Sequence, residues 1–79
     1  LYKRLVAWRN AEASRLGLPV YTVIQQKAIL GITNLLPEDK TTLLRIPYFG
    51  KKGVEKYGDE LLEMVRMYKK EMGLVISGE

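Results

Sequence analysis

The sequence predicts an all-α domain. Three observations carry that expectation. Apolar residues recur at three- and four-residue steps through most of the chain. Glycine and proline interrupt the pattern where helices would stop. The one stretch with strand-like composition has no second strand to pair with, and an isolated strand is unstable.

The first segment, LYKRLVAWRNAEASRL, puts Leu1, Leu5, Trp8, Ala11 or Glu12, and Leu16 on one helical face. Gly17 follows as the expected C′ residue, with Pro19 two positions further on. LPVYTVIQQ comes next. Its β-branched Val20, Thr22, Val23 and Ile24 favour a strand by propensity alone. Without a partner strand it is expected to be an extended or 3₁₀ connector packed on the core.

QQKAILGITNLL is the second helix, with Ala28, Ile29, Ile32, Leu35 and Leu36 as its inner face and Pro37 as its stop. Gly31 costs this helix about 1 kcal/mol relative to alanine, which points to close packing against a neighbour. EDKTTLLRI restarts as a short third helix with Asp39 as N-cap and Leu43, Leu44 and Ile46 pointing inward. Ile46 to Gly50 is a turn between helices. KKGVEKYG is expected to form a short fourth helix, punctuated by Gly53 and Gly58. DELLEMVRMYKKEMG is the last helix. Asp59 and Glu60 at its start, and Lys69 and Lys70 near its end, match the helix dipole. Leu61, Val65, Tyr68 and Met72 form its stripe, and Gly73 ends it. LVISGE reads as a loosely held tail, which gives a helical domain over residues 1–72 and a tail over 73–79.

Composition narrows the chemistry. The chain has 79 residues, enough for one small domain, with no cysteine and no histidine. A disulfide scaffold, a Cys/His zinc site and a cysteine nucleophile are therefore excluded, and no imidazole is available as a base. No run of 18 apolar residues exists to span a membrane. The mixed charged and apolar start is not a signal peptide, and the missing initiator Met reads as a piece cut from a larger protein. Stability of about 4–12 kcal/mol has to come from the core alone. Glu60 and Glu63 sit three apart on one helix, and Glu38 and Asp39 are adjacent. Both pairs read as helix-start and surface acids, because a metal or acid–base site needs further ligands converging from elsewhere. No G-x-x-x-x-G-K-[ST] phosphate loop is present. The chain is thus expected to be non-catalytic, with no metal and no cofactor.

Charge is unevenly distributed. Thirteen basic residues oppose nine acidic ones, for a net +4. Lys3, Arg4, Arg9 and Arg15 against Glu12 leave residues 1–15 at +3, and Arg45, Lys51, Lys52 and Lys56 against Glu55 leave 45–58 at +3. Residues 16–44 balance, and 59–79 are at −2. Such segments fit a patch facing a polyanion, and equally a solubilised helical surface.

Three stretches in order carry a resemblance. The first helix is followed by Leu18-Pro19-Val20-Tyr21-Thr22-Val23-Ile24. An apolar helix ends in Leu36-Pro37, then Leu43-Leu44-Arg45-Ile46-Pro47. Phe49-Gly50-Lys51-Lys52-Gly53-Val54-Glu55-Lys56-Tyr57-Gly58 completes the set. Over roughly residues 1–72 the chain resembles the HRDC domain, the helicase-and-ribonuclease-D C-terminal module. The resemblance implies a compact five- to six-helix bundle with a helix-hairpin-helix-like element. It further implies an intracellular accessory domain, monomeric on its own, that helps a DNA helicase engage nucleic acid and is not itself an enzyme. Two positions depart from the family pattern. Val20 replaces a second proline, and Tyr48 stands where a Gly-hydrophobic-Gly turn has its first glycine. A tyrosine there is expected to keep to the backbone space of an ordinary L-residue, which puts a hairpin phosphate nest in doubt and offers a stacking ring instead.

The candidate nucleic-acid contacts are Tyr21, Lys27, Tyr48, Gly50, Lys51, Lys52 and Lys56. Lys52 and Lys56 share a helix face, with Lys51 adjacent, and suit a phosphate backbone or an ordinary solvated face. Tyr21 is either an exposed ring that stacks on a base or a core ring with its hydroxyl at the rim. Lys27 opposes the helix dipole at the start of the second helix, which hints at another reason for its presence. Trp8, Tyr57 and Tyr68 read as core, and Lys3, Arg4 and Arg9 as a solvated face. Two functions remain open on these residues. One is weak, salt-dependent contact with single-stranded or branched DNA. The other is docking on the helicase core or a partner without touching DNA.

Overall fold

The computed structural model describes residues 1–73. Five helices and no strand occur among them. Helix α1 spans Tyr2–Leu16, α2 Val20–Val23, α3 Gln26–Leu35, α4 Lys40–Leu43 and α5 Gly50–Glu71. LVISGE, expected to be a tail, lies outside the described residues.

The two long helices, α1 and α5, run antiparallel. Arg4 near the start of α1 pairs with Glu71 at the end of α5, while Trp8 and Glu12 meet Tyr57 in its first half. Leu5, Ile29, Ile32, Leu43, Leu61 and Val65 are fully buried where the elements converge. Side chains buried to that extent each contribute about 1.5–3 kcal/mol of transfer free energy. Helix α1 ends as expected: Gly17 takes φ +69°, and its N–H and that of Leu18 close back onto Ser14 and Ala13. A left-handed residue there favours glycine.

The connector is a correction. Residues 20–23 are neither extended nor 3₁₀ but one turn of α-helix, followed by extended backbone at Ile24. Pro19 starts it with a preset φ of −61°, and the Thr22 hydroxyl donates to the Pro19 carbonyl at 2.6 Å. Turning the chain lets Val23 and Ile24 enter the core while Val20 and Tyr21 face water. Burial of one side has overridden β-propensity.

The short α4 follows the sequence. Asp39 caps it, accepting from the Thr42 N–H at 2.7 Å. Leu43 and Ile46 are buried, but Leu44, expected to point inward, is 49% exposed. Leu35, also expected inside, is 50% exposed, because the buried face of α3 is Ala28, Ile29 and Ile32. Ala13, rather than Ala11, is buried on α1, and Trp8 is only partly buried. Tyr68 is partly covered and Met72 is exposed, so the inner stripe of α5 ends at Val65. The packing inferred at Gly31 is present: a Cβ there would stand 3.1 Å from Ile46 Cγ2.

The largest correction is α5. The expected fourth and fifth helices are one continuous helix of 22 residues. Gly53 and Gly58 do not break it. The Phe49 ring lies where a Gly53 Cβ would be, and Gly58 is buried beside Leu43 and Lys40. Val54, Tyr57, Leu61 and Val65 form one buried stripe that starts directly after Gly53 and runs across Gly58, and that packing outweighs the poor helix propensity of the glycines.

Candidate nucleic-acid interface

The turn from α4 into α5 brings Tyr48, Phe49 and Gly50 beside α2. Between them runs a surface groove of about 340 Å³. Leu16, Val23, Ile24, Phe49 and Tyr57 contribute apolar wall, and Leu18, Tyr21 and Tyr48 contribute exposed edges. Its charged wall residues are Lys52 and Lys56, with no carboxylate. Tyr21 is 67% exposed and Tyr48 58% exposed, so both rings are open to a ligand.

Tyr48 overturns one expectation. It adopts φ +66°, the left-handed space that the glycine of a Gly-x-Gly turn would use, followed by Phe49 at φ −107° and Gly50 at φ +76°. For a bulky residue this conformation costs on the order of 1–3 kcal/mol. Lys27 Nζ stands 4.9 Å from the centre of the Tyr48 ring, within cation–π range.

Tyr57 forms part of the groove floor and is 7% exposed. Trp8 meets it edge to face, with ring centres 5.0 Å apart at 87°. Its hydroxyl donates to Glu12 Oε2 at 2.9 Å, and Arg15 donates to the same carboxylate at 2.6 and 3.0 Å. Donation by Arg15, then by Tyr57, holds the Glu12 carboxyl below its ordinary value. Desolvation, then the hydrogen bond to Glu12, pushes the Tyr57 phenol up, so it stays a neutral donor. Lys56 Nζ lies 5.3 Å from the centre of the same ring. This network anchors α5 to α1 beneath Lys56.

Of the seven candidate residues, the groove wall therefore unites Tyr21, Tyr48, Lys52 and Lys56. Lys27 joins them through the Tyr48 ring. Gly50 and Lys51 lie off the wall, Lys51 being about 100° around the helix from Lys52. The groove also takes Leu18, Thr22, Gln25 and Phe49, which sequence reasoning did not single out. Their signal was hidden, because it depends on residues 20–23 turning as a helix.

Five basic residues, all outside the groove lining, are held in ion pairs, while Lys3, Arg9, Arg45 and Lys70 elsewhere on the surface stay unpaired among the described residues. Arg4, Arg15, Lys40, Arg66 and Lys69 pair with Glu71, Glu12, Asp59, Glu63 and Glu38 respectively. None of Lys27, Lys51, Lys52 and Lys56 makes an ion pair among the described residues. A second hollow, lined by Pro37, Glu38, Asp59, Leu62, Glu63, Arg66 and Lys69, has both of its cations paired with its own carboxylates and a third carboxylate, Asp59, paired with Lys40 outside it, so it presents no cationic surface. No group of three or more metal-ligating side chains occurs among the described residues, and no helix there is long and apolar enough to cross a membrane.

The chain is 35% identical over 66 residues to the ATP-dependent DNA helicase UvrD2 of Mycobacterium tuberculosis and to that of Mycobacterium bovis. The aligned region covers 84% of this chain but 9% of each relative. No solved structure matches at a significant level. The HRDC domain family model matches residues 1–65, from the start of α1 through the buried stripe of α5. The all-helical body and that match together establish that the chain belongs to the HRDC domain family.

Proposed function

We propose that this domain is an auxiliary nucleic-acid-binding module of an intracellular ATP-dependent DNA helicase, and that it contacts single-stranded or branched DNA weakly through the α2–α5 groove. The observation that carries this reading is the meeting of exposed Tyr21 with Lys52 and Lys56 around one groove whose lining holds no carboxylate. Ammonium groups neutralise phosphates without needing base-specific geometry, and an exposed ring accepts any unpaired base. Lys51 adds a further cation just off the groove, and Gly50, at the start of α5, leaves the backbone there uncovered by a side chain. The relatives named above are DNA helicases, which supports the same ligand.

With about three phosphates neutralised, the log–log salt slope on a single strand is near −2, and Kd lies at about 10⁻⁴–10⁻⁶ M. Tethering to a motor makes such affinity useful by raising the local concentration. The test is titration of a labelled single strand at 50 and 200 mM salt. The expected loss of affinity between the two is about fifteen- to twentyfold. Replacing Lys52 and Lys56 with alanine should cut that loss to about two- to threefold. Absence of binding at low salt, combined with contact to a helicase motor, would instead support the docking function.

A further inference from the structure

Two residues at the groove violate local rules, and they meet. Tyr48 occupies left-handed backbone at φ +66°, where glycine would fit without strain. Lys27 sits in the first turn of α3, where the helix dipole disfavours a cation and no acid offsets it. They are 21 positions apart in the chain, yet the Lys27 ammonium rests 4.9 Å from the Tyr48 ring centre. Local conflicts of this kind concentrate at functional sites. Neither is needed for the core, since Tyr48 is 58% exposed and Lys27 is exposed. Tyr48 lines the groove and Lys27 does not, so the ammonium holds the ring from outside while the ring still faces the groove.

We propose that Tyr48 is a second base-stacking platform, backed by Lys27, and that the ligand of the groove is therefore a strand with unpaired bases rather than a duplex or an arbitrary polyanion. This rests on the function proposed above. A paired base offers its face only to its stacked neighbours. An unpaired base exposes its π-face to a ring at modest cost. Tyr21 and Tyr48 lining one groove, together with Lys52 and Lys56, suit the bases and phosphates of a single strand.

The test uses the chain with three labelled ligands: a 15-nucleotide oligothymidylate, an abasic strand of equal length, and a 15-base-pair duplex. Tyr48→Gly and Tyr48→Asn both suit left-handed backbone and both remove the ring. Each should weaken oligothymidylate binding about five- to tenfold, the lower range for losing one stacked base. Each should leave abasic-strand binding within twofold and the melting temperature no lower than that of the unmodified chain. Tyr48→Phe keeps the ring and should hold oligothymidylate affinity within twofold. An equal loss on the base-bearing and abasic strands overturns the proposal, as does unchanged oligothymidylate binding or tighter binding of the duplex. A melting temperature lowered in both ring-less variants would show the ring serving the fold and would equally overturn it. If Lys52→Ala/Lys56→Ala weakens binding while the Tyr48 variants do not, this proposal alone falls. If the unmodified chain binds no strand at low salt, the underlying function falls with it.

Discussion

Replacing each of the two interior glycines of α5 with alanine should move stability in opposite directions. From helix propensity alone, Gly53→Ala and Gly58→Ala are the same change, each worth about 1 kcal/mol in favour of the folded state. Their surroundings differ. A Cβ at Gly58 would meet Val54 Cγ1 at 3.4 Å, Lys40 Cε at 3.5 Å and Leu43 Cδ2 at 3.6 Å, ordinary contacts that add packing. A Cβ at Gly53 would stand 2.7, 2.9 and 3.1 Å from Phe49 Cε1, Cδ1 and Cζ. The Phe49 ring would have to retreat by about 1 Å to restore normal contact. It is partly buried against the core, and overpacking of that kind costs about 1–3 kcal/mol. The net expectation is a gain of about 1 kcal/mol for Gly58→Ala and a loss of about 1 kcal/mol for Gly53→Ala. For a chain of 79 residues each kcal/mol moves the melting temperature by about 6 °C. Circular dichroism melts of both variants read the difference, about 12 °C between them. Because Phe49 also lines the groove beside Tyr48 and Lys52, Gly53→Ala should weaken oligonucleotide binding and Gly58→Ala should not. A rise in melting temperature of similar size in both variants would refute the reasoning, since it would mean that Phe49 yields freely.

Tyr57→Phe removes a hydrogen bond to Glu12 and should cost about 1 kcal/mol, measured by urea unfolding; an unchanged midpoint would mean that the network does not hold α5 to α1. Asp39→Ala deletes the α4 cap and should cost about 1 kcal/mol, whereas Asp39→Asn should recover most of it. In acid, three carboxyls act together. Glu12 is held low by Arg15 and Tyr57, Glu71 by Arg4, and Asp39 by the Thr42 N–H. A carboxyl depressed on folding stabilises the native state above its unfolded pKa, about 4.3 for glutamate and 3.9 for aspartate. That contribution is lost as pH falls through the depressed value. The melting temperature should therefore be flat from pH 7 to about 5 and fall below about 4, less steeply in Glu12→Gln. A melting temperature that holds or rises on acidification would contradict the assignment.

Much of the fold was legible because it rests on local rules. The end of α1, the Asp39 cap and the close approach at Gly31 each follow from one residue type in one place. The errors share a cause. Ending the fourth helix at Gly58, and reading the Val20–Val23 stretch as an extended or 3₁₀ connector, applied intrinsic preference where burial decided. A propensity difference is at most about 1 kcal/mol per residue, while burying Val54 and Tyr57 on one side of α5, or Val23 and Ile24 beside α1, outweighs it. At the site, Lys52 and Lys56 were readable as a pair because four residues make one turn, and the same spacing displaced Lys51 from the wall. The contact of Lys27 with Tyr48 had no sequence signal, since nothing local relates positions 21 apart.

The order of residues alone determined an all-helical module without imidazole or thiol, carrying its surplus cations in two segments. Side-chain chemistry and helical periodicity are properties of the chain itself. Folding decided which cations stay unpaired among the described residues, because five basic side chains find acids across or along the helices there and the lysines around the α2–α5 groove do not. It also decided that Tyr21 and Tyr48 line one groove, because packing Val23, Ile24 and Phe49 against the body leaves those two rings on the rim.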